Sequence, residues 1–120
     1  MPALDVRVGS IVIDCAEPLL LAEFWRAVTG YESEAASEGW VSLRDPEGRA
    51  ANIGFQRVPE PKVVKNRVHI DLHAADEEVA AARLEVLGAR RLWVSDDPDD
   101  MFIVLADPEG NEFCVVREED

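Results

Sequence analysis

The chain has 120 residues, 48% hydrophobic and 31% charged, with 25 acidic against 12 basic side chains and a formal net charge of −13. That length and balance fit one globular domain with a real core and exclude a disordered chain. The excess negative charge argues against nucleic acid and anionic membrane surfaces as partners. No apolar run approaches the roughly 18–20 residues of a membrane span, and the start Met1-Pro2-Ala3-Leu4-Asp5 lacks the pattern of a secretory leader. Two cysteines, Cys15 and Cys114, build neither a disulfide framework nor a close metal pair, so a cytoplasmic setting is expected.

In chain order, residues 8–14 alternate as a strand, with Ile11 and Ile13 on one face. A helix follows. Pro18 sits in its opening turn, Leu20, Leu21, Phe24, Trp25 and Val28 fall at helical spacing, and Gly30 closes it. A short strand at 31–34 leads into a hairpin whose arms, 40–43 and 51–55, flank Asp45-Pro46-Glu47-Gly48. In such a turn Pro fixes φ, Gly accepts positive φ, and Asp bonds the backbone that follows. Val58-Pro59-Glu60-Pro61-Lys62 cannot continue a ladder and reads as a linker.

The same order then returns. Residues 68–73 alternate, with Ile70 and Leu72 on one face and His69, Asp71 and His73 on the other. Asp76 is the expected N-cap of a second helix, with Glu77 and Glu78 at its positive end. Val79, Ala82, Arg83, Leu84 and Leu87 carry the helical pattern, and Gly88 ends it. A strand at 90–94 precedes a second hairpin, 102–106 and 112–116, around Asp107-Pro108-Glu109-Gly110. Asp96, Asp97, Asp99 and Asp100 around Pro98 form the densest acidic cluster and read as a solvated loop.

This is one pattern written twice. It predicts an α+β fold of two tandem βαβββ modules, about 1–58 and 67–120 with a linker at about 59–66, forming a single domain. Paired modules give an open, curved mixed sheet with helices outside and a concave face for a small-molecule ligand. Glu112, Cys114 and Val116 share the non-helix face of the last strand. Trp40 and Trp93, on what read as related strands of the two halves, are candidates to line a pocket with Asp71 and Cys114.

The sequence resembles the vicinal oxygen chelate superfamily, in its glyoxalase-like and bleomycin-resistance-like branch. The resemblance rests on Glu17-Pro18, Phe24-Trp25 and Gly30, on residues 55–62 and 66–72, and most of all on residues 105–114, Leu-Ala-Asp-Pro-Glu-Gly-Asn-Glu-Phe-Cys. Such proteins often hold one divalent metal through first-strand and last-strand residues of each module. Carried over, the pattern implies His69 and Glu112 in the second half. In the first it implies Gln56, or Asn52 on the same strand face, with Ser10 at the first-strand position (Val12 if the register slips by two). Ser10 is not a usual ligand, so the implied metal site is short of donors. Two functions stay open. One is a metal-dependent lyase or isomerase with Glu112 as ligand or base. The other is a metal-free binder that sequesters a small oxygen-rich molecule. The resemblance also implies a homodimer.

Overall fold

The computed structural model describes residues 4–118. The chain divides into two compact units, one ending at Pro61 and the other beginning at Lys62. In the first, the order is β1 (Ser10–Cys15), α1 (Pro18–Thr29), β2 (Glu32–Ala36), β3 (Trp40–Arg44) and β4 (Asn52–Arg57). In the second it is β5 (Asp71–Ala74), α2 (Glu77–Leu87), β6 (Arg90–Val94), β7 (Phe102–Ala106) and β8 (Glu112–Arg117). Each unit is a four-stranded mixed sheet, ordered β1-β4-β3-β2 or β5-β8-β7-β6. The first strand pairs parallel with the last, and the remaining pairs are antiparallel. The repeated βαβββ order predicted from sequence is the order observed.

Both hairpins turn on an aspartate. Asp45 accepts from the backbone N–H groups of Glu47, Arg49 and Ala50 at 2.9–3.0 Å, and Gly48 takes φ 67°. Asp107 accepts likewise from Glu109 and Asn111 at 2.9 and 3.0 Å, and Gly110 takes φ 87°. Both aspartates are buried, and these bonds offset their desolvation. Each second strand also carries a bulge at the same place, between Ser33 and Ala35 and between Arg91 and Trp93. No turn residue or glycine in the sequence marks these bulges.

Helix α1 starts on Pro18 and ends where Gly30, at φ 76°, donates its N–H to the Arg26 carbonyl at 2.8 Å. It buries Pro18, Leu21, Ala22, Phe24 and Trp25 against β3 and β4, where Val41, Leu43, Ile53 and Phe55 wait. Leu20 was expected in that stripe. It is 65% exposed, because the helix turns its buried arc one position on and small Ala22 fills the place.

Helix α2 departs further from its sequence pattern. Asp76 caps it as expected, accepting from the N–H groups of Glu78 and Val79. Its buried residues, however, are Glu77, Ala81 and Leu84, while Val79 and Leu87 face solvent. Glu77 is 1% exposed and takes a two-pronged bond from Arg117 of β8, Nε to Oε2 at 2.7 Å and Nη2 to Oε1 at 2.6 Å. This pair sets the helix phase, and Ala81 is small enough to let the helix settle on the sheet.

Arg117's hydrogen bonds hold the Glu77 carboxyl below the ordinary glutamate range, against the opposing effect of its burial. The folded chain therefore binds that proton less tightly than the unfolded chain. The stabilisation is complete above the unfolded value of about 4.3 and disappears as pH falls through the lower folded value. Urea unfolding of the parent chain and of Glu77→Gln should show midpoints that differ most near neutral pH and converge in acid. A gap that stays constant with pH would show that the pair does not titrate with folding.

Candidate functional site

The second unit gathers its polar residues on one face. Asp71 lies opposite Cys114 in the β5–β8 ladder, and the Ile70 carbonyl accepts the Cys114 N–H at 2.9 Å. The same register carried two residues back sets His69, just ahead of β5, beside Glu112. Phe113 and Val115, the alternate residues of β8, are fully buried in the core with Ile103 and Leu105 of β7. A pocket of about 350 Å³ opens on the opposite face. Its apolar side is Trp93, Phe102, Val104 and Val116, with Trp93 and Phe102 in edge-to-face contact at 5.3 Å. Its polar side is His69, Asp71, Glu112 and Cys114, with Lys65 and Asp100 at the margin.

Five residues singled out from sequence, His69, Asp71, Trp93, Glu112 and Cys114, thus line one pocket. Their chemistry is constrained. Glu112 Oε1 accepts the backbone N–H of Asn66 at 2.9 Å and lies 3.0 Å from Lys62 Nζ, which also reaches Oε2 at 3.2 Å. Burial pushes the Glu112 carboxyl up. The Asn66 and Lys62 hydrogen bonds outweigh it and leave the group below its usual range. Both carboxylate oxygens are therefore engaged by an ammonium group that repels cations, and one of them by the Asn66 N–H as well. A metal held by His69 and Glu112 does not fit this arrangement. Nor is Glu112 placed to act as a base, since its charge is already spent on Lys62 and Asn66.

A different trio comes together. His69 Nε2 is 3.1 Å from Asp71 Oδ1, and donor atoms of His69, Asp71 and Cys114 all lie within 4.8 Å of one another. Burial, then the charge of Asp71 and a hydrogen bond to it, raise the Cys114 thiol. A thiol held protonated is a poor nucleophile, so Cys114 reads as a packing and donor residue. The aspartates of residues 96–100 instead make a local turn, with Asp99 N–H donating to Asp97 and Ser95 Oγ to the Asp100 carbonyl.

Ser10, Trp40 and Gln56 belong to the first unit. There Ser10 lies opposite Asn52 and Val12 opposite Gly54. Asn52 is thus the counterpart of Glu112, and Gln56 sits four residues further along β4, opposite Asp14. The two turns also differ by two residues. Arg49, Ala50 and Ala51 separate Gly48 from β4, whereas Asn111 alone separates Gly110 from β8. Ser10 and Asn52 line a polar hollow of this unit with Arg44, itself paired to Glu32 at 3.0 Å.

Trp40 and Trp93 are likewise not counterparts. Trp40 opens β3 and corresponds to Phe102, which opens β7, whereas Trp93 lies on β6, the equivalent of β2. The Trp40 ring lies over Gly54, so close that a Cβ there would stand 2.5 Å from its Cη2. Lys62, Lys65, Asn66 and Phe102 were not foreseen as site residues. Lys62 and Asn66 do fall in the stretches 55–62 and 66–72 that carry the resemblance, which was the one signal pointing to that segment.

The chain matches the family model described as the glyoxalase-like domain over residues 10–116, and it belongs to that family. Solved structures share the fold at low identity. One is a glyoxalase/bleomycin resistance protein/dioxygenase family enzyme from Burkholderia phytofirmans PsJN, at TM-score 0.75 and 16% identity, covering 93% of this chain and 98% of that one. The bleomycin-binding protein of Streptomyces verticillus, solved with copper(II)-bleomycin, matches at TM-score 0.66 and 14% identity over 98% and 100%. A lactoylglutathione lyase from Agrobacterium tumefaciens matches at 0.67 and 16% over 92% of both chains. No functionally curated protein matches by sequence.

The Trp40–Gly54 contact leaves no room for a methyl group. Gly54→Ala should destabilise the chain by about 1–3 kcal/mol through overpacking, and Trp40→Leu in the same chain should restore part of that loss. Additive effects in denaturant unfolding would mean that the two residues do not press on each other.

Proposed function

We propose that this chain is a small-molecule-binding protein whose ligand is flat and largely apolar, with a cationic or hydrogen-bond-donating edge. One observation carries the reading: the second unit's pocket pairs an exposed aromatic wall with an acidic floor. Trp93 is 54% exposed on its Phe102 neighbour, although an indole is normally covered, and it offers a ring face for stacking. Asp71 lines the same pocket and Asp100 its margin, with Glu112 already balanced by Lys62 and with Lys65 as the margin's cation. Within a chain of net charge −13, that balance attracts cations and repels anions. The engaged carboxylate of Glu112 supports binding over lyase or isomerase chemistry, and no step here runs through a metal.

A pair of probes on one ring skeleton tests the reading. Naphthylmethylamine should bind the chelator-treated protein at least about tenfold more tightly than naphthoate, or about 1.4 kcal/mol. Trp93→Ala should weaken the amine severalfold, in line with roughly 0.5–1.5 kcal/mol for an aromatic contact. Calorimetry reads both. Equal affinities, a preference for naphthoate, or failure of both probes to bind would overturn the reading.

The same reading has the protein pair with a second copy of itself. In the first unit β1 is an edge strand, and its Ile11 and Val12 are 42% and 45% exposed. Natural proteins cover such edges. Light scattering should give twice the chain mass, and Ile11→Lys should shift it toward the single-chain value. A parent chain of monomer mass would end this proposal.

A further inference from the structure

We infer that His69, Asp71 and Cys114 form a site for a divalent cation of the zinc class. It is distinct from the His69–Glu112 donor set that the family resemblance implies. Strand pairing places the trio. Asp71 and Cys114 are direct partners across the parallel β5–β8 ladder, and His69 precedes Asp71 by two residues on the same face. The backbone positions are thus fixed before any ion arrives.

The distances suit one ion. Bonds of about 2.0–2.3 Å at tetrahedral angles place two donors roughly 3.3–3.8 Å apart. His69 Nε2 and Asp71 Oδ1 stand at 3.1 Å, and the whole trio lies within 4.8 Å. Small side-chain rotations close the remaining difference without moving the ladder. Sulfur, imidazole nitrogen and carboxylate oxygen together favour a borderline cation over magnesium or calcium, which take oxygen ligands alone. Three protein donors leave a coordination position open. The trio lines the pocket, so that position is on the pocket side.

Glu112 stays outside the site because Lys62 and Asn66 hold both its oxygens. The assignment goes beyond the ligand-binding reading, which is tested on chelator-treated protein, so either can fail without the other.

Cobalt(II) is the probe, titrated into the chelator-treated full chain and followed by absorbance. One equivalent should produce a thiolate-to-cobalt charge-transfer band in the near ultraviolet, and zinc should abolish it. Cys114→Ser and Cys114→Ala should each eliminate that band, with circular dichroism confirming that at least one of them is folded. His69→Ala and Asp71→Asn should weaken cobalt binding by at least about tenfold. Cys15→Ser, which alters the other thiol, should leave the band in place. Glu112→Gln decides between the two donor sets. Retention of the band at an affinity within about threefold supports the trio, and its loss would make Glu112 a ligand alongside Cys114 and overturn the three-donor site. Absence of a charge-transfer band in the parent chain, or its survival in a folded Cys114 variant, overturns the site.

Discussion

The parallel pairing of β5 with β8 is the constraint on which the second unit depends. Side chains alternate along a strand, so a slip of one residue would move each of them to the opposite face. In the observed register Phe113 and Val115 join Ile103 and Leu105 in the core, and Glu112, Cys114 and Val116 line the pocket. Each large apolar side chain buried this way contributes about 1.5–3 kcal/mol. A slipped ladder would expose these and bury an acid and a thiol. Apolar packing against α2 thus aims the pocket's polar groups, although those groups contribute little to it. Arg117 at the end of β8 adds a directional tie, because its two bonds to Glu77 fix where the helix rests.

The two units show one topology put to different uses. At matching places the first has Ser10, Val12, Asn52, Gly54 and Trp40, and the second has His69, Asp71, Glu112, Cys114 and Phe102. Gly54 has no side chain, so the six-membered ring of Trp40 closes directly on it. In the second unit Cys114 stands up from the strand and Phe102 turns its ring to Trp93 instead, leaving space between the polar and apolar sides. Putting Phe and Cys where the first unit has its Trp–Gly contact leaves an open pocket without altering the backbone plan. Ionisable donors are gathered in the open copy.

Much of this was legible. The paired Asp-Pro-Glu-Gly turns, the Pro18, Gly30, Asp76 and Gly88 helix limits, and the placing of His69 and Asp71 on one face all follow from local chemistry. What failed to show depends on contacts between distant residues. The phase of α2 is set by Arg117, 40 residues from Glu77, and a charged residue in a helix gives no sign that it will be buried. Gln56 and Asn52 share a strand face, so alternation alone left both open, and the ladder, which sets Ser10 opposite Asn52, separates them. Trp40 and Trp93 looked alike through being tryptophans in strands, and the strand order separates them. The neutralising of Glu112 comes from a segment without regular structure, which periodicity cannot place.

That segment explains why an acid at a motif position need not be a working one. Freeing Glu112 for a cation would leave the Asn66 N–H without its acceptor and the Lys62 ammonium with the Val64 carbonyl alone. Losing such a partner costs up to about 1–3 kcal/mol for a buried group and less for one that water reaches. Lys62 would also remain nearby as a like charge to the incoming ion. The trio beside it carries no such burden. Its internal contacts run between half-exposed His69 and Asp71 and the partly buried Cys114, and water replaces what is lost there. Two anionic donors then balance a dication in full, and the Lys65 ammonium at the margin favours the thiolate that the ion needs. The electrostatics of the pocket thus divide its acids, with Glu112 holding the wall in shape and Asp71 facing what enters.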